Sequence, residues 1–310
     1  MEHRALGRGG IDVSRIILGC GNFGGIGSVP EFFGQGETRD QAFAIMDAAW
    51  AAGITTFDTA DAYGGGHSES YIGDWLRTRG VRPVLSTKTF NPMSDGADSG
   101  LSRVRVQRQL ESSLDRLGVE RVDLFLAHAM DPATPLEETV AAFDELQSTG
   151  RIGAWGGSNV DVAWIEQAQP SWVQNSFSLL DREDEGGVLD VCVRDAIGYT
   201  PFSPLAGGWL TGKYRRDEEP PAGSRMTVRP EPYAHLQKDG TFDALEAFER
   251  HAEERGTTPA ALAVAWLLAH PAVTAVVIGP RRPEHLAPPL AAVDLNLSPG
   301  ERDSITELFS

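Results

Sequence analysis

Cysteine is scarce in this chain. Cys20 and Cys192 are the only two among 310 residues. That excludes a disulfide framework, and no C-x-x-C pair offers a zinc site. Two small, inert thiols are expected, in keeping with a reducing cytoplasm. Positive charge is scarce as well: Lys and Arg total 27 against 44 acidic residues, a formal net charge of −17. This argues against binding to nucleic acid or to an anionic membrane, while leaving room for a local basic pocket. The opening Met1-Glu2-His3-Arg4-Ala5-Leu6 has no apolar signal-peptide core. The one long apolar run, Ala260 to Gly279, is broken by His270-Pro271. It opens on Thr258-Pro259, a cap followed by proline at the first helical position. We read a buried helix to about Ala269 and then a strand, not a membrane span. The seven histidines form no H-x-H or H-x-x-x-H pair, so no metal site is expected, and no G-x-S-x-G elbow occurs. No internal repeat, low-complexity tract or linker is evident, so residues 1–310 are expected to form a single domain.

What is present is regular alternation. Thr38-Arg39-Asp40-Gln41 reads as a capping box, followed by an apolar face of Ala42, Ile45, Met46, Ala49 and Trp50 up to Gly53. Val106, Leu110, Leu114 and Leu117 mark a second helix ending at Gly118. Thr134-Pro135-Leu136-Glu137 and Ser298-Pro299-Gly300-Glu301 read as two further capping boxes. Strand-like runs lie between, at about 16–19, 54–58, 83–88, 122–127, 152–157, 172–175, 198–202 and 274–278. Strands alternating with helices favour a closed eight-stranded parallel barrel, the (β/α)8 TIM barrel. Arg4–Leu6 and Val13–Ile16, joined through Gly7-Arg8-Gly9-Gly10, suggest an N-terminal β-hairpin before the barrel. Two connections are long, Gly24 to Gly36 and about Ala206 to Gly240. Long connections are often lids or binding loops; the tail of the second also reads as a disordered insertion.

Gly19-Cys20-Gly21-Asn22-Phe23-Gly24 matches the dinucleotide fingerprint G-x-G-x-x-G directly after a strand. That fingerprint needs a helix to open at its third glycine. Here Gly25-Ile26-Gly27-Ser28-Val29-Pro30 follows, and no helix signal appears before Thr38. The glycines are therefore read as allowing a tight turn or a close approach to ligand.

Four polar residues stand where apolar runs stop: Asp58, Tyr63 just past it, Lys88 and His128. All strand C-terminal ends of a parallel barrel open on one face, where chemistry is done. Taken singly, each residue has an ordinary structural reading. Together they supply a phenol, an ammonium to favour phenolate, a carboxylate to hold that ammonium, and an imidazole to hydrogen-bond a substrate oxygen. Such a set can protonate a carbonyl oxygen while hydride arrives at carbon.

At these residues the sequence resembles the aldo-keto reductases, closest to their bacterial and potassium-channel β-subunit branch. The resemblance runs through Leu6 to Ser14, Phe57-Asp58-Thr59-Ala60-Asp61-Ala62-Tyr63-Gly64, Leu85-Ser86-Thr87-Lys88 and Asp123 to His128. Gly156-Gly157-Ser158-Asn159, Phe202 to Gly208 and Leu210-Thr211-Gly212-Lys213-Tyr214 continue it. It implies reversible reduction of an aldehyde or ketone with NADPH (NADH less so) bound extended on the barrel. Tyr63 would be the general acid, completed by Asp58, Lys88 and His128. Ser158, Asn159 and Gln174 would hold the nicotinamide carboxamide, and Phe202 would stack on its ring. Gly21 and Asn22 would lie near the ribose. Ser203, Leu205, Gly207 and Lys213 would follow the pyrophosphate. Arg225, Gly279, Arg281, Arg282 and His285 would meet the adenosine phosphate. His285, Pro288 and Pro289 depart from the family pattern, in which many relatives have Gln, Glu and Asn contacts to phosphate and adenine, and the two prolines offer no side-chain hydrogen bond. Phe23, Phe32, Phe33, Met130 and Trp209 are expected to line the mouth for a small carbonyl substrate. Because channel β-subunits share the fold and the tetrad, a cofactor-sensing subunit is the alternative. Oligomeric state is not readable.

Overall fold

The computed structural model describes residues Met1 to Ser310. Eight short strands, almost wholly buried, form one sheet. They are β3 (Ile16–Gly19), β4 (Thr56–Asp58), β5 (Val84–Thr89), β6 (Val122–Ala127), β7 (Ile152–Ser158), β8 (Trp172–Gln174), β9 (Gly198–Tyr199) and β10 (Val276–Ile278). Their order is β10-β3-β4-β5-β6-β7-β8-β9, and all neighbours are parallel. The two outer strands also meet. Thr274 N–H donates to Tyr199 O at 2.8 Å, and Val277 N–H to Pro201 O at 2.9 Å. The sheet therefore curls round on itself as a (β/α)8 barrel. A parallel sheet is covered on both faces, so its strands carry few polar residues except where they end.

Helices form the outer layer: α1 (Arg39–Ala51), α2 (His67–Arg79), α3 (Arg103–Leu117), α4 (Leu136–Ser148), α5 (Val162–Ala168) and α6 (Val188–Arg194). The short α7 (Arg225–Val228) lies in the long connection after β9, followed by α8 (Asp239–Glu254), α9 (Pro259–Leu268), α10 (Ala287–Ala292) and α11 (Pro299–Glu307). None of these helices is long and apolar enough to cross a membrane. The capping box at Thr38 is formed in both directions, and Thr258 caps Pro259–Leu268 as expected. At α11 only half a box forms, Ser298 accepting from Glu301 N–H. The expected box at Thr134 does not form. Asp131 Oδ2 takes the Thr134 hydroxyl at 2.7 Å, and Pro135 becomes the residue before the helix, with no side-chain cap.

The antiparallel hairpin of β1 (His3–Leu6) and β2 (Ile11–Ser14) precedes the barrel. Ile16 belongs to β3, not to the hairpin. Ser14 N–H donates to Thr56 Oγ1 at the start of β4, and Leu6 packs where β9 begins, at Gly198. From the strands' N-terminal end, Leu6 and Val13 join Ile17, Leu124, Leu126 and Trp172 in a small apolar cluster. The hairpin thus seals that end, and the opposite end is left for the site. The connection from 206 to 240 is not an unstructured insertion. It carries short 3₁₀ turns at Ala206–Thr211 and Glu231–Leu236 around α7.

The G-x-G-x-x-G segment enters no helix. Gly24 N–H donates to Glu37 O, and Gly34 N–H returns to Gly24 O, so the loop folds back on itself. A Cβ on Gly36 would lie 2.0 Å from Asn22 O, so only glycine permits that closure. The first long helix waits until Arg39.

Candidate active site

Asp58 ends β4, Lys88 sits near the end of β5, and His128 follows β6. Tyr63 opens a tight turn of Tyr63–Gly66 just beyond β4. Adjacent parallel strands therefore deliver all four to one face. Lys88 is fully buried, and its Nζ donates to Asp58 Oδ2 at 2.6 Å and to Thr59 O at 2.9 Å. The same ammonium donates to Tyr63 Oη at 3.3 Å. Asp58 is held from its other side, where Oδ1 accepts from Ser86 Oγ at 2.7 Å and from Gln174 Nε2 at 3.2 Å. His128 Nε2 lies 3.4 Å from Tyr63 Oη, with the two rings nearly perpendicular.

Charge in this cluster follows from burial and neighbours. Burial disfavours the Lys88 ammonium, but Asp58 and then Tyr63 reverse that effect, and its pKa ends above the ordinary lysine value. Burial raises the Tyr63 pKa, and Lys88 is the main opposing influence. Lys88 does pull toward phenolate, as the sequence leads one to expect, yet burial wins and the net shift is upward. Tyr63 therefore holds its proton at neutral pH. His128 is pushed well below the usual histidine range, by burial first and by Lys88 second, and so is neutral. The set is a protonated phenol beside a fixed ammonium and a neutral imidazole. Chemically it can give a proton to an oxygen on which negative charge develops.

A second group of residues leads away from Tyr63. A Cβ on Gly21 would touch the Tyr63 ring at 3.5 Å, and one on Gly279 would lie 3.8 Å from Asn22 Nδ2. Arg225 donates to Asn22 Oδ1 at 3.3 Å. Arg281 donates to Glu37 Oε1 at 2.7 Å and to Gly223 O at 2.9 Å, and its own N–H meets His285 Nδ1 at 3.2 Å. The Lys213 pKa is lowered, first by desolvation and then by Arg225 and Arg281, so the three cations share one neighbourhood. Arg282 is exposed beside them. Ser158 and Gln174 are buried at the ends of β7 and β8. Asn159 bonds His128 O at 2.8 Å. Half-buried Phe202 begins the loop of Ser203, Leu205 and Gly207. Asn159, Ser203 and Ala206 all have positive φ, of 56°, 55° and 45°. These are three of the six non-glycine residues with positive φ. At Gly208, with φ of 99°, a Cβ would meet Lys213 Nζ at 2.2 Å, so the loop wraps closely on that lysine.

Residues 15–309 match the family described as the Aldo/keto reductase family. The chain belongs to the aldo/keto reductase family. Among curated relatives it is 35% identical to an uncharacterized oxidoreductase, YrpG, of Bacillus subtilis, over 100% of this chain and 96% of the relative. It is 33% identical to a putative voltage-gated potassium channel subunit beta of Schizosaccharomyces pombe, over 99% and 93%. It is 31% identical to the L-glyceraldehyde 3-phosphate reductase of Escherichia coli, over 92% and 86%.

Within this reductase fold the expected mouth residues divide. Phe33 is half-buried and packs against the Tyr63–Gly66 turn at Gly65, and Phe32 lies under the Arg229 guanidinium at 5.4 Å. Met130 is 40% exposed. Phe23 and Trp209, by contrast, are each 1% exposed and belong to the core. Trp209 packs at a tilt against Tyr214 and Phe242 below the long loop, and Phe23 lies in the apolar layer under the first. Their chain positions put them in the right loops, but their side chains turn inward.

Two residues of this region carry no sequence signal. Glu37 is 4% exposed, pairs with Arg281, and leaves Oε2 buried with no partner. It looks like any acid before a helix cap. Asn91 places Nδ2 3.1 Å from His128 Nδ1. Asp61 is buried as well, its pKa raised to about 7 by burial, with Thr89 Oγ1 donating to it at 2.6 Å. Both cysteines are buried, and burial pushes the Cys192 thiol up to about 12 and Cys20 well above its usual value.

Proposed function

We propose that this aldo-keto reductase family member reversibly reduces an aldehyde or ketone to the alcohol, using NADPH. One observation carries the reading: protonated Tyr63 stands 3.3 Å from the ammonium of buried Lys88 and 3.4 Å from neutral His128. Bound nicotinamide would supply the hydride. The chain's own residues would do the rest. Tyr63 gives its proton to the carbonyl oxygen, and Lys88 stabilises the phenolate left behind. Asp58 keeps Lys88 charged and aimed, and His128 holds the substrate oxygen against the phenol.

The donor set suits a dinucleotide. Lys213, Arg225 and Arg281 supply charge and forked donors for phosphates, with Arg282 and His285 beside them. Asn22, Ser158, Asn159 and Gln174 supply neutral donors and acceptors nearer the phenol. Phe202 offers a flat apolar surface, Gly21 leaves room beside Tyr63, and Gly279 leaves room beside Asn22. The excess of arginines favours NADPH over NADH, since only NADPH carries a 2′-phosphate. Phe32, Phe33 and Met130 would border a small carbonyl substrate. We take the whole chain to act as one barrel domain, in the cytoplasm.

Likeness to channel β-subunits favours one second reading, a cofactor-sensing subunit with little turnover. Fluorescence titration with NADPH and NADH, followed by a panel of aldehydes and ketones, separates the two. Tighter NADPH binding with turnover supports the reductase. Binding without turnover on any carbonyl favours the sensor, and failure to bind either cofactor refutes both.

A further inference from the structure

We propose that Asn91 is a positioning residue that fixes the tautomer of His128 and thereby aims the Tyr63 proton into the site. The inference rests on the carbonyl-reductase reading above for its catalytic consequence, but not for the placement of protons.

The geometry runs through three atoms. Asn91 Nδ2 lies 3.1 Å from His128 Nδ1. An amide nitrogen only donates, so Nδ1 must offer its lone pair. A neutral imidazole has a single N–H, which then sits on Nε2, the atom 3.4 Å from Tyr63 Oη. Lys88 Nζ also donates to that oxygen, at 3.3 Å. Tyr63 Oη therefore accepts from two sides. Its own O–H has neither neighbour as an acceptor and is free for a substrate oxygen. The opposite tautomer would reverse this. A bare Nε2 would accept the phenol proton, and Tyr63 would spend it on His128 instead of on substrate.

The placement of Asn91 is itself built. Buried Arg105, from α3, donates to Asn91 O at 2.8 Å, to Thr89 Oγ1 at 3.0 Å and to Gly100 O at 2.9 Å. Thr89 in turn donates to buried Asp61. On the other side, His128 is fixed by its N–H to Thr89 O at 3.0 Å and by Asn159 at its carbonyl. Both partners of the Asn91–His128 contact are thus held by backbone bonds independent of it.

The test is ¹⁵N NMR of the histidine rings in the full chain, with His128 assigned by its disappearance in His128→Gln. In the wild type we expect Nδ1 unprotonated and Nε2 protonated. A protonated Nδ1 there overturns the proposal without any variant, because Asn91 would then present its oxygen. Asn91→Asp keeps the shape but turns the donor into an acceptor, so Nδ1 should become protonated; an unprotonated Nδ1 in that variant also overturns the proposal. With the reductase reading intact, Asn91→Leu should lower kcat on the order of 10²-fold with KM and NADPH affinity little changed. An unchanged kcat would sever the tautomer from catalysis. Wild-type spectra as expected, in a protein that reduces no carbonyl, would instead remove the functional reading and leave the proton placement standing.

Discussion

Asp58→Asn removes the charge that Lys88 was buried to meet. Both side chains are nearly inaccessible, 4% and 1% exposed, so water cannot replace the lost carboxylate. Breaking a buried pair by removing one partner costs about 3–5 kcal/mol, because the remaining charge is stranded. Thr59 O still accepts from Nζ, which places the expected loss toward the lower end, about 3 kcal/mol. Two further tests follow from the same geometry. Burial, the largest influence on Lys88, is opposed mainly by Asp58. Without Asp58 the lysine pKa falls below its unfolded value of about 10.4. A base whose folded pKa is depressed destabilises the fold below its unfolded pKa and ceases to do so above it. In the wild type the pKa is raised, so its contribution is present below about pH 10.4 and fades as pH climbs through the folded value. The variant's penalty therefore shrinks as pH rises from about 7 to about 10, while the wild-type contribution begins to fade only above about pH 10.4, so the gap narrows first through the variant. Adding Lys88→Met should then restore most of the stability lost in Asp58→Asn, a large positive coupling in a double-mutant cycle. Urea unfolding followed by the fluorescence of the seven tryptophans measures all of this. A loss under about 1 kcal/mol, far below the stranded-charge range, or no recovery in the double variant, would refute the buried-ion-pair account.

Other consequences are separately measurable. Tyr63→Phe should lower carbonyl reduction by about 10²–10⁴-fold, the usual contribution of a positioned acid, with NADPH affinity in a fluorescence titration nearly unchanged; unaltered turnover would exclude Tyr63 as the proton donor. Arg281→Ala should weaken NADPH by about 10- to 100-fold, as expected for a lost charge-assisted bond of roughly 1.5–3 kcal/mol, and NADH much less; equal weakening would show that Arg281 does not read a 2′-phosphate. Asp61 has a folded pKa raised to about 7 from 3.8, so its contribution to stability is present below the unfolded value and lost as pH rises through about 7. Asp61→Asn should therefore gain on the wild type by about 4 kcal/mol between pH values of roughly 4 and 8, and a pH-independent difference in urea midpoint would contradict the buried, partly unpartnered carboxyl.

The barrel is legible because its signals are repeated. Most apolar runs are short and end in a polar or small residue, and several are followed by a helix pattern closed by glycine, as at Gly53, Gly118 and Gly150. Eight such units carry the topology even where a boundary is off, as at 198–202, where only Gly198–Tyr199 pairs as strand. Pro201 has no N–H to donate, and its carbonyl instead helps join the two outer strands. Local motifs are less secure when a neighbour competes for the same atom. Thr134 matches a capping box, but Asp131 three residues earlier takes its hydroxyl. Nothing in the four-residue pattern reports that competitor.

The site divides along the same physical line. Asp58, Tyr63, Lys88 and His128 are readable because strand ends converge by topology, and that requires only the chain order. What each group does once there depends on contacts across the fold. Lys88 sits close enough to pull Tyr63 toward phenolate, yet the pocket that makes the ion pair strong also withdraws water from the phenol, and the phenol pKa rises. Glu37 meets Arg281 across 244 positions, and Asn91 meets His128 across 37. No spacing rule connects either pair, because the barrel closes different loops onto them. Phe23 and Trp209 show the converse: correct loops, with side chains that the apolar layer beneath attracts more strongly than the mouth does. Chain order therefore brings the reactive groups to one face, whereas their protonation is set first by burial and then by the neighbours that the fold packs against them. The proton on His128, held or released by Asn91, is where that second layer of control meets the chemistry.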